Sequence, residues 1–399
     1  MAYKVRFANP QKQYADHREE FIKTFDDVLS RGDIVMRGDL NKFEEDFAKF
    51  VGTKYAVGVN SGTSAIYLAL RAAGVKNGDE VITVAHTFIA SISVPYLLDA
   101  KPVLIDVGRD FNMDPELIEK ALTPKTTAIE PVHLNGRLCD MEIIMDIAKR
   151  KGLMVIEDAA QALGAKMRMK NDDGSSSAKG GWRMAGSFGE AGAFSLYWAK
   201  TLGGWGNNGM ITTNNPEIAD RLRFMRYNGE DRETRKFYYH SHNLLMDNLH
   251  AALLSVKFKY FPQWLKRRKE IAEKYDKGLG NIKEVSVPYF EDNRFDDIYT
   301  NYVIRAEKRD ELKKYLDETG VETLISWASP TYKEPVFENP ALNLGHEKPR
   351  LVDARGDVSE LIETEKICQE VISLPMYPEL NDEEIDFVIN AIKNFYSKK

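Results

Sequence analysis

A single lysine, Lys200, closes the apolar run at residues 194–200 (FSLYWAK), and two glycines, Gly203 and Gly204, follow it. An apolar setting strips water from an ammonium group, which favours the neutral and nucleophilic amine. Such an amine can form an imine with an aldehyde cofactor. Taken alone, Lys200 is equally compatible with a solvated surface lysine, so its interpretation depends on its neighbours.

Two carboxylates, Glu157 and Asp158, close the apolar run at residues 153–158 (LMVIED). Side chains alternate along a strand, so the two carboxylates point to opposite faces. A carboxylate buried against a heterocyclic nitrogen keeps that nitrogen protonated, as an electron-sink cofactor requires. The alternative is that one of the two carboxylates caps the following helix.

A phosphate cradle is predicted after the run YAVGVN at residues 55–60. Gly62 permits tight backbone geometry, and Thr63 and Ser64 offer hydroxyl groups. The start of the next helix also offers free amides to an anion. The same residues suit an ordinary helix N-cap, which is the alternative at this position.

Two further patterns carry less weight. The segment at residues 204–209 (GWGNNG) satisfies the dinucleotide pattern G-x-G-x-x-G, but the strand-like MITTN follows it where a helix is required. His240, His242 and His250 lack a nearby carboxylate or cysteine ligand set. We therefore predict neither a dinucleotide site nor a metal site.

Seven short apolar runs alternate with helix-like stretches in the first half of the chain, which predicts an α/β fold. The sheet is expected to be mostly parallel and seven-stranded, with helices on both faces. Ligands of such sheets bind beyond the carboxyl ends of the strands, where the candidate residues lie. The seven runs occupy residues 55–59, 80–84, 102–107, 126–134, 153–158, 193–198 and 210–214.

A long helical period at residues 247–279 predicts the connection into a smaller α/β domain. We expect a large domain at residues 1–250 and the small C-terminal domain at 251–399. The glycine- and serine-rich stretch at 166–189 predicts a surface loop. The small domain is expected to contain a strand at residues 301–305, a helix near 310–319, a loop-rich stretch at 327–353 and a final helix from Asp382.

The composition favours a small-molecule substrate. The 61 acidic and 55 basic residues give a net charge of -6, without the basic excess expected of a protein that binds nucleic acid or an anionic membrane. The start MAYKVRFANP lacks the apolar core of a signal peptide, and no apolar run approaches the roughly 18 residues of a membrane span. Cys139 and Cys368 are isolated, which favours a reducing compartment, and we expect a cytoplasmic protein.

Taken together, these motifs resemble the DegT/DnrJ/EryC1/StrS family of sugar aminotransferases, a branch of the fold type I pyridoxal-phosphate enzymes. The likeness runs nearly from end to end and keeps several motifs in order. It implies the fold type I architecture and pyridoxal 5'-phosphate as cofactor. The segments that carry the likeness are residues 40–70, 78–91, 102–107, 131–136, 155–165, 194–203 and 373–380.

The resemblance also implies residue roles. Lys200 matches the lysine that forms the imine with the cofactor, and Asp158 matches the partner of the pyridine nitrogen. Gln161 is expected near the ring oxygen and Phe88 on the ring face. The phosphate is assigned to Gly62, Thr63, Ser64 and Ser195, and to Asn243 of a neighbouring subunit, which implies a homodimer with shared active sites.

The chain departs from the family pattern at three places. An arginine of the usual Asn-x-Arg-Met is Leu245 here, and an acid in the glycine-rich turn after the lysine is lost at Asn207-Asn208. Residues 326–331 lack the histidine-containing pattern often found there. These departures lie near the expected substrate side, so they affect the substrate prediction more than the cofactor prediction.

The resemblance implies transfer of an amino group from glutamate or glutamine to a nucleotide-linked keto-deoxysugar, with pyridoxamine 5'-phosphate between the two half-reactions. The main alternative is a non-nucleotide keto ring of the inosose or aminoshikimate type. A sugar dehydratase of the same family carries a histidine in place of the lysine, so Lys200 argues against it. A non-catalytic sensor is expected to lose Lys200 or Asp158.

Overall fold

The computed structural model describes residues 3–169, 181–288, 292–339 and 341–397. The strands are β1 (Tyr55–Val59), β2 (Glu80–Val84), β3 (Lys101–Ile105), β4 (Thr126–Ile129), β5 (Met154–Asp158), β6 (Lys166–Arg168), β7 (Trp182–Met184), β8 (Ala191–Ser195), β9 (Gly209–Thr213), β10 (Glu230–Asp231), β11 (Lys236–Phe237), β12 (Val285–Ser286), β13 (Phe295–Asp296), β14 (Tyr302–Ala306), β15 (Arg350–Asp353), β16 (Gly356–Val358) and β17 (Val371–Leu374).

The α-helices are α1 (Pro10–Asp16), α2 (Arg18–Arg31), α3 (Gly38–Val51), α4 (Gly62–Ala73), α5 (Ala90–Leu97), α6 (Ile118–Ala121), α7 (Met141–Lys151), α8 (Pro216–Met225), α9 (Asn248–Leu279), α10 (Arg309–Thr319), α11 (Pro335–Glu338), α12 (Ile362–Glu370) and α13 (Asp382–Ser397). Short 3-10 helices lie at Pro115–Leu117, Leu134–Gly136 and Thr331–Lys333.

The main sheet has the strand order β1-β9-β8-β5-β4-β2-β3-β15-β16. The pairs from β8 through β5, β4, β2 and β3 to β15 are parallel. β9 runs antiparallel to both of its neighbours, and β16 runs antiparallel to β15. The first seven strands in this order are the seven predicted from the apolar runs, so the mostly parallel α/β sheet is confirmed.

The sheet gains two further strands, and β15 lies in the region 327–353 that was predicted to be loop-rich. β15 pairs in parallel with β3, with Arg350 opposite Val103 and Val352 opposite Ile105. Its four residues are too short to show a strand period, and Leu351 and Val352 become buried only because β3 offers an edge. The second half of the chain therefore contributes to the large sheet, and the domain division at residue 250 stays a prediction.

Helices cover both faces of the sheet, and the alternation of side chains sorts them between two cores. Val155 packs in the cluster that contains Phe47 of α3 and Phe261 of α9. Its neighbour Ile156 packs in the cluster that contains Leu68 of α4. Because both faces are covered, every residue of β2 and the last four of β5 are buried, as expected for interior parallel strands.

A separate core lies in the C-terminal half, around the three-stranded sheet β12-β14-β17. Tyr302 and Ile304 of β14 pack there with Tyr275 of α9 and Ile385 of α13. The 32-residue helix α9 joins the two cores, because Phe261 packs in the first and Tyr275 in the second. The predicted long connecting helix at residues 247–279 is thus confirmed within one residue.

Part of the segment predicted as a surface loop, residues 166–189, forms regular structure. β6 pairs antiparallel with β7 and with β13. Residues 170–180, which include the serine run, lie outside the described residues. In the portion of the chain that the structure describes, no helix is both long and apolar enough to cross a membrane.

A glycine inside β8 provides a test of this packing. A Cβ atom on Gly192 would overlap the backbone of Gly186, so Gly192→Ala must displace a strand next to the site. We expect it to lower the free energy of unfolding by about 1–3 kcal/mol. The matched control is Gly38→Ala at the first residue of α3, where a Cβ meets no atom within 4 Å. Equal thermal midpoints for the two variants would contradict the described packing.

Candidate active site

A cavity of about 530 Å³ opens at the carboxyl ends of β1, β5 and β8. Most of the residues predicted from the sequence lie together in its wall. Ser64 and Asn243 do not belong to the lining, and their roles stay predictions. The predicted residues that line the cavity are Gly62, Thr63, Phe88, Asp158, Gln161, Ser195 and Lys200.

Lys200 lies in the turn after β8, where its backbone amide donates to the Tyr197 carbonyl at 2.8 Å. Burial lowers the pKa of the Lys200 amine, and the charge of Asp158 opposes this change. Burial is the larger cause, so the site shifts the amine toward its neutral, nucleophilic form. The alternative of a solvated surface lysine does not fit this environment.

Asp158 ends β5 and is only 5% exposed. Its Oδ2 accepts a hydrogen bond from Ser91 Oγ at 2.9 Å, and its Oδ1 accepts one from the Ala160 amide at 3.1 Å. Burial raises the pKa of Asp158, whereas these two hydrogen bonds and the charge of Lys200 lower it. A protonated ring nitrogen would supply the positive charge that a buried carboxylate here requires. Ser91 was not predicted from the sequence, because serines at helix starts are common.

The predicted phosphate cradle lies where α4 meets β8. A Cβ atom at Gly62 would come within 2.7 Å of Ser195 Cβ, so only glycine permits this approach. Ser61 caps α4, and the first-turn amides have no acceptor within the helix. The Ser64 hydroxyl already donates to Asn60 Oδ1 at 2.7 Å. The geometry thus combines both alternatives: an N-cap at Ser61 and an anion site beside it.

Phe88 and Gln161 line the cavity, and the family resemblance places both beside the cofactor ring. Phe88 is 60% exposed and free to cover a ligand. Gln161 Oε1 accepts from the Asn135 amide at 2.9 Å and from Asn301 Nδ2 at 3.4 Å, which fixes the carboxamide at the cavity wall. These positions fit the roles that the family resemblance implies for both residues.

Glu157 faces away from Asp158, as strand alternation predicted. It accepts hydrogen bonds from the amides of Gly186, Phe188 and Gly189 at 2.7, 2.6 and 2.9 Å. His133 Nδ1 accepts from the Cys139 amide at 3.1 Å, so Nε2 carries the proton that is donated to Glu157 at 3.0 Å. Glu157 therefore holds the turn that precedes β8, and only Asp158 faces the ligand.

A buried lysine on α9, Lys257, supports the loop that follows Lys200. Its Nζ donates to the Gly203 carbonyl at 2.5 Å and lies 4.2 Å from the centre of the Trp205 ring. Burial lowers its pKa to about 8. The sequence offered no signal for this contact, because Lys257 is one of several basic residues on a long helix.

The remaining candidate residues lie elsewhere. Asn243 is exposed and pairs through its backbone with Tyr227, while Leu245 pairs with Val59. His240 and His242 are exposed and do not line the cavity. The strand β9 follows the G-x-G-x-x-G segment, so the context of a dinucleotide site is missing, as predicted.

One buried acid, Glu130, lies just beyond β4 on the same face as Asp158. It is 0% exposed, and neither carboxyl oxygen has a hydrogen-bond partner among the described residues. Burial, together with the charge of Asp158, raises the pKa of Glu130 well above its usual range. Burial without a hydrogen-bond partner therefore favours the neutral carboxylic acid at Glu130.

This state of Glu130 predicts a pH-dependent stability. Its folded-state pKa lies above the unfolded value of about 4.3, so its contribution is present below that pH and is lost as the pH rises. We expect the free energy of unfolding of Glu130→Gln to rise relative to that of the wild type between pH 5 and pH 8, by at most about 1.4 kcal/mol per pH unit. The exposed Glu338→Gln is the control. A difference in free energy of unfolding that does not shift in favour of Glu130→Gln as the pH rises would contradict a raised pKa at Glu130.

Known proteins share both the sequence and the fold. A "Pleiotropic regulatory protein" of Geobacillus stearothermophilus is 38% identical over 392 residues, 96% of each chain. The dTDP-3-amino-3,4,6-trideoxy-alpha-D-glucose transaminase of Streptomyces venezuelae is 34% identical over 396 residues, 98% of this chain and 96% of that protein. The crystal structure of S. venezuelae DesV in complex with a ketimine intermediate superposes with a TM-score of 0.89 and 33% identity, covering 100% of both chains.

A structure of a DegT DnrJ EryC1 StrS aminotransferase from Brucella abortus gives a TM-score of 0.87 at 28% identity, covering 99% of this chain and 100% of that chain. The model of the DegT/DnrJ/EryC1/StrS aminotransferase family matches residues 15–393, nearly the whole sequence. The chain therefore belongs to the DegT/DnrJ/EryC1/StrS aminotransferase family, as its motifs predicted.

Proposed function

We propose that this protein is a pyridoxal-phosphate-dependent aminotransferase that moves an amino group from glutamate or glutamine to a nucleotide-linked keto-deoxysugar. The observation that carries the proposal is the pairing of Lys200 and Asp158 in one cavity. Burial lowers the pKa of Lys200 and raises that of Asp158, so it favours the neutral form of both groups. The charge of each group acts in the opposite direction on the pKa of the other. This is the acid–base arrangement that imine chemistry on a pyridine ring requires.

The cavity residues fit the cofactor at each end. Because Gly62 has no side chain, the first turn of α4 lies close to Ser195. A phosphate would fit against this turn, with Thr63 beside it. Asp158 would accept a hydrogen bond from the protonated ring nitrogen, and Gln161 and Phe88 would contact the ring. When bound, the cofactor supplies an electron sink that stabilises negative charge on the substrate carbon.

The roles of the protein side chains follow from their positions. Lys200 Nζ would hold the cofactor in its resting state and, as a free amine, would act as the general base and acid that moves a proton at the substrate carbon. Ser91 and the Ala160 amide hold the two oxygens of Asp158 in place, and a protonated ring nitrogen beside them would favour its ionised form. Lys257 donates a hydrogen bond to the Gly203 carbonyl and so stabilises the loop that follows Lys200.

The nucleotide-sugar substrate is supported by the relatives. One is a transaminase of a dTDP-linked trideoxyglucose, and another, from Aneurinibacillus thermoaerophilus, is a dTDP-3-amino-3,6-dideoxy-alpha-D-galactopyranose transaminase with 34% identity over 382 residues. A non-nucleotide keto ring would use the same cofactor residues and remains the second candidate. The relative called a regulatory protein does not favour a sensor here, because Lys200 and Asp158 are both retained.

A homodimer with shared sites belongs to the same proposal. Asn243 is exposed, as a residue that reaches a neighbouring phosphate site must be. Helix α2 also presents an exposed apolar stripe, Ile22, Phe25 and Leu29, that suits an interface. A cytoplasmic location fits an enzyme of activated sugars whose two cysteines are free and buried.

The proposal is tested by the two half-reactions of Lys200→Ala. We expect the variant to retain the cofactor but to lose transamination by at least about 10²-fold, because no other side chain replaces the amine. Return of the absorbance near 400 nm, measured after adding nucleotide keto sugars or inososes to the pyridoxamine form, reports the second half-reaction. The exposed Lys149→Ala should match the wild type. Near-normal turnover by Lys200→Ala would refute the mechanism. A response to inososes alone would show that the substrate is a non-nucleotide keto ring.

A further inference from the structure

Part of the cavity wall comes from the second half of the chain. The predicted cofactor residues in the lining lie between residues 62 and 200, whereas Thr300, Asn301, Leu324, Ser326 and Trp327 form another part of the wall. Among these five, Trp327 offers the only aromatic surface. Since the cofactor is assigned to the sheet edge, this wall faces the substrate.

We propose that Trp327 is the platform on which the keto-sugar ring packs, and that it gives the site its preference for deoxygenated rings. The inference rests on the proposed function and extends it to substrate specificity. It also assigns a role to part of residues 326–331, the segment in which the histidine-containing family pattern is missing.

The backbone of Trp327 is held in an unusual conformation. Its φ angle is +55°, in the left-handed region that bulky residues rarely adopt. A conformation of this kind persists only where the surroundings impose it, and it is concentrated at functional sites. Here Thr331 Oγ1 donates to the Thr87 carbonyl at 2.9 Å, which ties the segment to the loop after β2.

The indole ring is also fixed from behind. It lies edge-on to the buried His86 ring, with ring centres 5.5 Å apart and planes at 78°. Burial lowers the pKa of His86 to about 4, so the imidazole is neutral at physiological pH and acts as an uncharged support. Trp327 itself is partly buried and lines the cavity, so it keeps a surface for ligand.

Leu324 and Phe7 add apolar surface to the cavity lining, whereas Thr300, Asn301 and Ser326 supply polar groups. Leu324 is 46% exposed and Phe7 is partly buried, and both line the cavity. A sugar ring presents C–H groups on its faces, and these pack well against an aromatic surface. An additional hydroxyl buried there would lose its hydrogen bonds to water, so a ring with fewer hydroxyl groups binds better.

The test separates the two half-reactions of the full-length holoenzyme. We expect Trp327→Ala to lower kcat/KM for a nucleotide 3-keto-6-deoxysugar by about 10–100-fold, mainly through KM, while kcat/KM for the amino donor changes by less than about 3-fold. Trp327→Phe should recover part of the loss. Trp182→Ala, which replaces a 42% exposed tryptophan outside the cavity, is the matched control.

A second comparison uses the corresponding keto sugar that retains its 6-hydroxyl group. The wild type should prefer the 6-deoxy compound, and Trp327→Ala should reduce that preference at least about 3-fold. Equal losses in both half-reactions, or an unchanged preference, would overturn the role of Trp327 while leaving the aminotransferase intact. Failure of the wild type to convert either sugar would instead overturn the proposed function, and the inference with it.

Discussion

The mutual dependence of two buried groups of opposite charge, Lys200 and Asp158, governs the site. Burial moves the pKa of the amine down and that of the carboxyl up. Bound pyridoxal 5'-phosphate would suit both groups, because its aldehyde reacts with a neutral amine and its ring N–H would pair with the carboxylate. The remaining features of the cavity maintain this arrangement.

The sheet brings the two groups together. β5 and β8 are adjacent and parallel, with Asp158 opposite Ala193, so the residues that follow each strand emerge at the same edge. Glycines make the edge compact: Gly62 lies against Ser195, and Gly192 against Gly186. Glu157 holds the turn before β8, and His133 hydrogen-bonds to Glu157. The chemistry therefore depends on backbone packing as much as on the reacting side chains.

The elements of the fold with a clear apolar period could be predicted from the sequence. The seven strands of the first half have strong apolar periods, and α9 has a long helical one, so their positions were predicted within a few residues. β15 was missed because a four-residue strand has no resolvable period and depends on the edge of β3. The hairpin of β6 and β7 was missed because its composition is that of a loop.

The site was predicted to a similar extent. Lys200, Asp158 and Ser195 follow strong strands, where parallel sheets bind ligands. Ser91, Lys257 and Glu130 act through contacts between residues distant in sequence, for which a single sequence gives no signal. Trp327 was noticed only as part of a departure from the family pattern. Its left-handed backbone and its contact with His86 became visible only in three dimensions.

The central claim is that Lys200, among all the lysines of the chain, is bonded to the cofactor. Borohydride reduction of the purified holoenzyme converts an imine into a stable secondary amine, and proteolysis followed by mass spectrometry then identifies the modified peptide. We predict one modified lysine, Lys200, in the peptide that contains FSLYWAK. Absence of any modified peptide, or modification at another lysine, would contradict it.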